Sequence, residues 1–101
     1  MIEMRLPLVY RVHAVQRMVE RDISEEAVAE VMSAGKAIES YPDDRPYPSR
    51  LMLGWVRMGQ TSERARPIHV VCAVTDHEII VIKVYEPDSA LWDAGFEKRK
   101  P

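Results

Sequence analysis

Cysteine is nearly absent from this 101-residue chain. Cys72 stands alone, so no internal disulfide can form, and packing inside a reducing compartment is the expected basis of the fold. Long apolar runs are missing as well. The longest, Val70 to Val74, covers five residues, against the roughly 20 that a membrane-spanning helix needs. The opening Met1-Ile2-Glu3-Met4-Arg5-Leu6-Pro7 has an acid where a secretory signal carries bases. These features lead to the expectation of a cytoplasmic protein without a membrane partner. A dominant charge is lacking too: 14 Lys and Arg face 16 Asp and Glu, for a net −2. Any polyanion site must therefore be local.

Other absences narrow the chemistry. No Gly-x-Gly-x-x-Gly, Walker loop or acyl-transfer nucleophile motif occurs, so nucleotide-cofactor enzymes are disfavoured and no cofactor is expected. His13, His69 and His77 are far apart, and neither Cys-x-x-Cys nor His-Glu-x-x-His accompanies them. No metal site is expected on that basis. Repeats, low-complexity tracts and composition breaks are also missing. Residues 1–101 therefore read as a single domain with one core.

What is present reads as a small α+β fold. Val12, Val15, Met18 and Val19 recur at three- and four-residue steps, which predicts a helix over Arg11 to Arg21 with that stripe buried. Ser24, followed by early acids, predicts the start of a second helix over about Glu25 to Ala34. Gly35 is the expected left-handed cap at its end. Strands are predicted over Ala37–Tyr41, Arg50–Met58, Ile68–Thr75 and Ile79–Tyr85. Gly54 marks a bulge or a close backbone approach. Pro42, Pro46 and Pro48 pace an irregular loop, and Gly59 to Arg66 reads as a turn. Leu91, Trp92 and Phe96 suggest a short C-terminal helix ending in a solvated Glu97–Lys100 tail. The predicted architecture is an N-terminal helical hairpin packed on a three- to four-stranded antiparallel sheet, with the other sheet face partly open.

Three groupings carry candidate chemistry. His13, Arg17 and Arg21 lie at i, i+4 steps and form a ridge on the first helix, suited to a phosphate. Ion pairing with Glu20, Glu25, Asp43 or Asp44 is the competing account. Tyr41, Arg45, Tyr47 and Arg50 concentrate stacking faces and guanidinium forks in and beside the proline loop, as a reader of single-stranded nucleic acid would need. The same segment also suits a rigid connector. His69, Lys83 and Tyr85 are polar intrusions in an apolar hairpin. For RNA transphosphorylation they supply a base, a cation and an acid in that order. Strand register decides whether they meet: a two-residue turn at Asp76-His77 sets His69 opposite Val84, and a three-residue turn sets it opposite Tyr85.

A longer set of residues carries a family resemblance. His13-Ala14, Arg17-Met18, Glu20-Arg21 and Ile23-Ser24 open it; Ile38 to Asp44, Tyr47 to Arg50, Pro67, His69 to Val71, Val84 to Asp88 and Trp92 follow in order. Together these resemble the domain-of-unknown-function family 4258, which has no established reaction. Its helix-helix-strand layout is similar to small ribonuclease toxins of the RelE/ParE and BrnT type, although the Tyr47-Pro48 loop departs from them. That second likeness implies RNA as a target and an antitoxin-type protein as a partner.

Two functions follow as expectations. The first is a toxin-like, RNA-interacting domain acting as a metal-independent ribonuclease, with His13, Arg17, His69 and Tyr85 catalytic and Arg21, Tyr47, Arg50 and Lys83 holding substrate. The second is a non-catalytic protein-interaction module that pairs with an antitoxin-type protein or a second copy through Leu53, Trp55 and Trp92. Standard interfaces bury roughly 800 Å² per partner.

Overall fold

In the computed structural model, which describes residues 6–57 and 64–101, two helices lie on one side of a five-stranded sheet. The elements are β1 (Leu8–Tyr10), α1 (Val12–Arg21), α2 (Glu25–Ala34), β2 (Lys36–Tyr41), β3 (Ser49–Arg57), β4 (Ala65–Val74) and β5 (Ile79–Tyr85). Strand order is β1-β5-β4-β3-β2. The α+β class agrees with the sequence pattern, but the sheet is larger than predicted and mixed. The additional strand, β1, pairs parallel to β5, with Leu8 opposite Ile79 and Tyr10 opposite Val81. Three residues are too few to show an alternation, and a parallel partner distant in sequence leaves no local signature. Met58 and Gly59, read as strand end and turn, lie outside the described residues together with positions 60–63.

Local chemistry explains the helix ends. Asp22 closes α1 in the left-handed region at φ 55°, and the Ile23 amide donates back to the Met18 carbonyl at 2.9 Å. Ile23 then drops into the core. Ser24 Oγ accepts from the Ala27 amide at 3.0 Å, and Glu25 and Glu26 fill the first turn of α2. Gly35 is not left-handed, contrary to expectation: its φ is −80°. Glycine is required there because a β-carbon would collide with the carbonyl oxygens of Val31 and Leu53. Gly54 answers to the same cause, since its β-carbon would sit 2.8 Å from Val31 Cγ2. The second helix therefore rests directly on β3 backbone.

The phase of α1 differs from the predicted stripe. Ala14 and Met18 are buried, whereas Val12, Val15 and Val19 face solvent. Small Ala14 permits close approach to β5, and periodicity alone does not say which of two neighbouring stripes packs. Arg66 holds the corner between the helices by donating to the Arg21 and Asp22 carbonyls while its guanidinium pairs with Glu86.

Alternation sorts the sheet into two faces. Met52, Val56, Ile68, Val70, Cys72, Ile79, Val81 and Val84 join the helices in the core. Leu51, Leu53, Trp55, His69, Lys83 and Tyr85 take the other face. The β4–β5 turn closes with the Thr75 amide donating to the Glu78 carbonyl at 2.9 Å, which is the tight register. Yet Ile82 has no ladder partner: Cys72 pairs with Val81, and Val71 pairs with Lys83. This bulge shifts the register by one and sets His69 opposite Tyr85. It also has a packing reason. Uninterrupted alternation from Ile79 and Val81 would direct Lys83 into the core, where an unpaired ammonium is costly.

The second face is partly covered, with Trp55 and Lys83 still exposed on it. The proline loop crosses Ala73, Ile80 and Ile82 at one end, bounding a hollow of about 190 Å³ with Arg11 and Tyr47. The residues after β5 form no helix. Ala90 donates to Asp88 Oδ1, one turn follows, and the chain doubles back with Trp92 bridged to Arg99. This strap lies over the sheet because Trp92 and Phe96 bury their rings against His69 and Trp55. A continuous helix would not leave the Phe96 carbonyl free to meet His69.

Candidate active site beneath the C-terminal strap

His69 sits at the centre of β4 with no solvent exposure. Its Nε2 lies 2.8 Å from the Phe96 carbonyl oxygen and its Nδ1 lies 3.2 Å from Tyr85 Oη. A carbonyl can only accept, so Nε2 carries the hydrogen and Nδ1 accepts from the tyrosine hydroxyl. Phe96 adopts φ 59° in presenting that carbonyl. The imidazole is thus held as one neutral tautomer. Burial pushes its pKa below the ordinary 6.5, against the raising pull of the Phe96 carbonyl and Glu39. Tyr85 and Trp92 meet the ring edge to face, with centroids 5.2 and 4.5 Å away.

A second layer of polar groups ties the strap to β2. Arg99 lies with its guanidinium carbon 4.5 Å from the centroid of the Trp92 ring and donates to both oxygens of Glu39, at 3.1 and 3.2 Å. Tyr41 Oη donates to the same carboxylate at 2.5 Å. Burial acts to raise the Glu39 pKa, but the Arg99 and Tyr41 hydrogen bonds outweigh it and hold the carboxyl below its usual range. Tyr41 is pushed up to about 12, first by burial and then by the Glu39 carboxylate it bonds. Lys36 and Glu97 add a 2.6 Å ion pair at the strap's edge.

The structure brings together some of the residues that the sequence pointed to and separates others. His69 and Tyr85 share a hydrogen bond, and Lys83 lies on the same face, exposed, one pleat from Tyr85. His13, Arg17 and Arg21 are exposed on α1, on the opposite side of the sheet. Arg17 pairs with Glu20 at 3.5 Å, while Asp44 accepts from Ser49 instead of from that ridge. Tyr47 is half exposed on the proline loop, above the second face. Arg50 is half buried on the helix side, beside α2. The eight residues therefore divide between two faces.

Three members of the cluster were not anticipated. Glu39 had no signal beyond its place in a short strand, and Arg99 read as solvated tail. Trp92 read as part of an interface, but it and Leu53 are sealed by the chain itself. The spacing Glu39-x-Tyr41 on one strand face was the available clue to their pairing.

Among the described residues, no three His, Cys, Asp or Glu side chains gather as a metal site, and no helix is long and apolar enough to cross a membrane. A family model described as "Domain of unknown function (DUF4258)" matches residues 10–86. The chain belongs to the DUF4258 family. That match spans both helices and β2 to β5, so the DUF4258 region contains His69 and Tyr85 while the strap residues Trp92, Phe96 and Arg99 lie beyond it. Neither a curated protein nor a solved structure matches the chain.

Proposed function

We propose that this protein is a non-catalytic interaction module that pairs with a second copy of itself through α1. The observation that carries this reading is the row Val12, Val15 and Val19, exposed at 74, 44 and 78% on one helix. Single exposed valines need no explanation, but a contiguous ridge of them does. Beside it lies a hollow of about 540 Å³ whose lining includes Tyr10, Met18 and Ile23. The hollow is bordered by Val15 and Val19 and closed by Tyr10 of β1 and the start of α2, so ridge and hollow adjoin and make a self-complementary surface, as a two-fold contact requires. An antiparallel crossing sets Val12 against the partner's Val19, and His13 near the partner's Glu20. Each valine removed from water contributes about 1–2 kcal/mol.

The toxin-like ribonuclease reading draws less support. A general base must reach the proton it abstracts, whereas His69 has both ring nitrogens engaged under the strap. Its proposed helpers His13 and Arg17 stand behind the sheet. Light scattering on the full chain tests the proposal, with twice the chain mass expected. RNA cleavage that is lost in His69→Ala while folding persists would overturn it. A chain that stays monomeric alone and forms a one-to-one complex with a different protein would reassign the ridge to an antitoxin-type partner.

A further inference from the structure

We infer that the groove between α2 and the start of the sheet is a binding site for an elongated apolar molecule ending in a single carboxylate, received by Arg50. The groove encloses about 750 Å³, within the range of small-molecule sites. Among the described residues, α1 covers β5 while α2 runs over β3 and β4, and the ends of several strands have no helix above them. Leu8, Ile79 and Val74 form a floor row on β1, β5 and β4, with Met32 from α2 above it. The row leads toward Arg50 and Met52 on β3. Three inter-strand steps span about 14 Å, which matches the extended chain of dodecanoate.

The charge at one end selects the head group. Arg50 is half buried, and among the described residues its guanidinium engages in no hydrogen bond or ion pair. A half-buried fork without an acceptor is suited to a carboxylate, which it can bind through two parallel hydrogen bonds. Glu26 and Glu30 stand on the α2 rim of the same groove, exposed to water. Their charge is screened there, but it opposes a polyanion and limits the ligand to one negative group. Cys72, opposite Arg50 on the ladder, is fully buried and presents no competing group.

Calorimetric titration of the full chain with dodecanoate, dodecanol and dodecyltrimethylammonium tests this. One dodecanoate per chain is expected, bound about tenfold to a hundredfold more tightly than dodecanol, with the cation weakest. Arg50→Gln should abolish the preference for dodecanoate over dodecanol, while Arg50→Lys retains part of it. Ala29→Trp, which fills the groove from an exposed position on α2, should remove binding with Arg50 intact; thermal melts confirm that each variant is folded. Failure of dodecanoate to bind, equal affinity for the acid and the alcohol, or unchanged binding in Ala29→Trp would overturn the assignment.

Discussion

His69 stands directly across the ladder from Tyr85, and Ile82 is the residue that puts it there. The turn at Thr75 to Glu78 alone would place Val84 in that position. One unpaired residue exchanges the two, sending Val84 into the core and Tyr85 to the imidazole.

Deleting Ile82 should therefore be tolerated where deleting Val84 is not. Without Ile82, Lys83, Val84 and Tyr85 still face Val71, Val70 and His69 in an unbulged ladder, and the loss should stay at about 1–2 kcal/mol. Without Val84, either Lys83 or Tyr85 must turn to the helix side, and that variant is expected to lose cooperative folding in urea. Equal stabilities for the two variants would contradict the role given to the bulge.

The buried imidazole gives stability a specific dependence on pH. Above the ordinary value of 6.5, His69 is neutral whether folded or not. As pH falls below 6.5 the unfolded chain takes up a proton that the folded chain resists, so stability declines until the lower folded pKa is reached. Glu39 acts in a more acidic window: its contribution is present above the usual carboxylate range and fades as pH falls through its lowered folded value. Melts between pH 7 and 5 should weaken in the wild type more than in His69→Gln. His69→Ala, which strands Tyr85 Oη and the Phe96 carbonyl, should cost about 2–4 kcal/mol at neutral pH.

Contact between α2 and β3 is testable at Gly54. A methyl there meets Val31, so Gly54→Ala should destabilise by about 1–3 kcal/mol. Trimming the obstruction in Val31→Ala/Gly54→Ala should give a smaller loss than the sum of the two single changes. Strict additivity in chemical denaturation would argue that the helix does not rest on this glycine.

Much of the scaffold was legible in the chain. Ser24 and its following acids marked α2 through an N-cap that forms, and β-branched runs marked β4 and β5. The division of Leu51, Leu53 and Trp55 from Met52 and Val56 followed from alternation. What escaped had no local signature. The bulge falls in Ile79–Tyr85, an apolar run without a glycine to flag it. Val12, Val15 and Val19 satisfy helical periodicity as well as a buried stripe does, and only the docking of Ala14 shows which side packs. Leu91, Trp92 and Phe96 share helical spacing, yet the pull of two aromatic rings toward His69 and Trp55 folds them into a strap. The candidate site is half visible in the sequence: His69 and Tyr85 stand out as polar residues in an apolar hairpin, while Arg99 and Glu39 meet from 60 positions apart.

Self-association through α1 is the claim on which the functional account rests, and sedimentation equilibrium of the wild type beside Val19→Asp tests it most directly. A dimer in the wild type and a folded monomer in the variant are predicted, because the new carboxylate would have to be buried against the partner's Val12. A wild type that sediments as a monomer at every concentration, or a dimer that survives Val19→Asp, would contradict it.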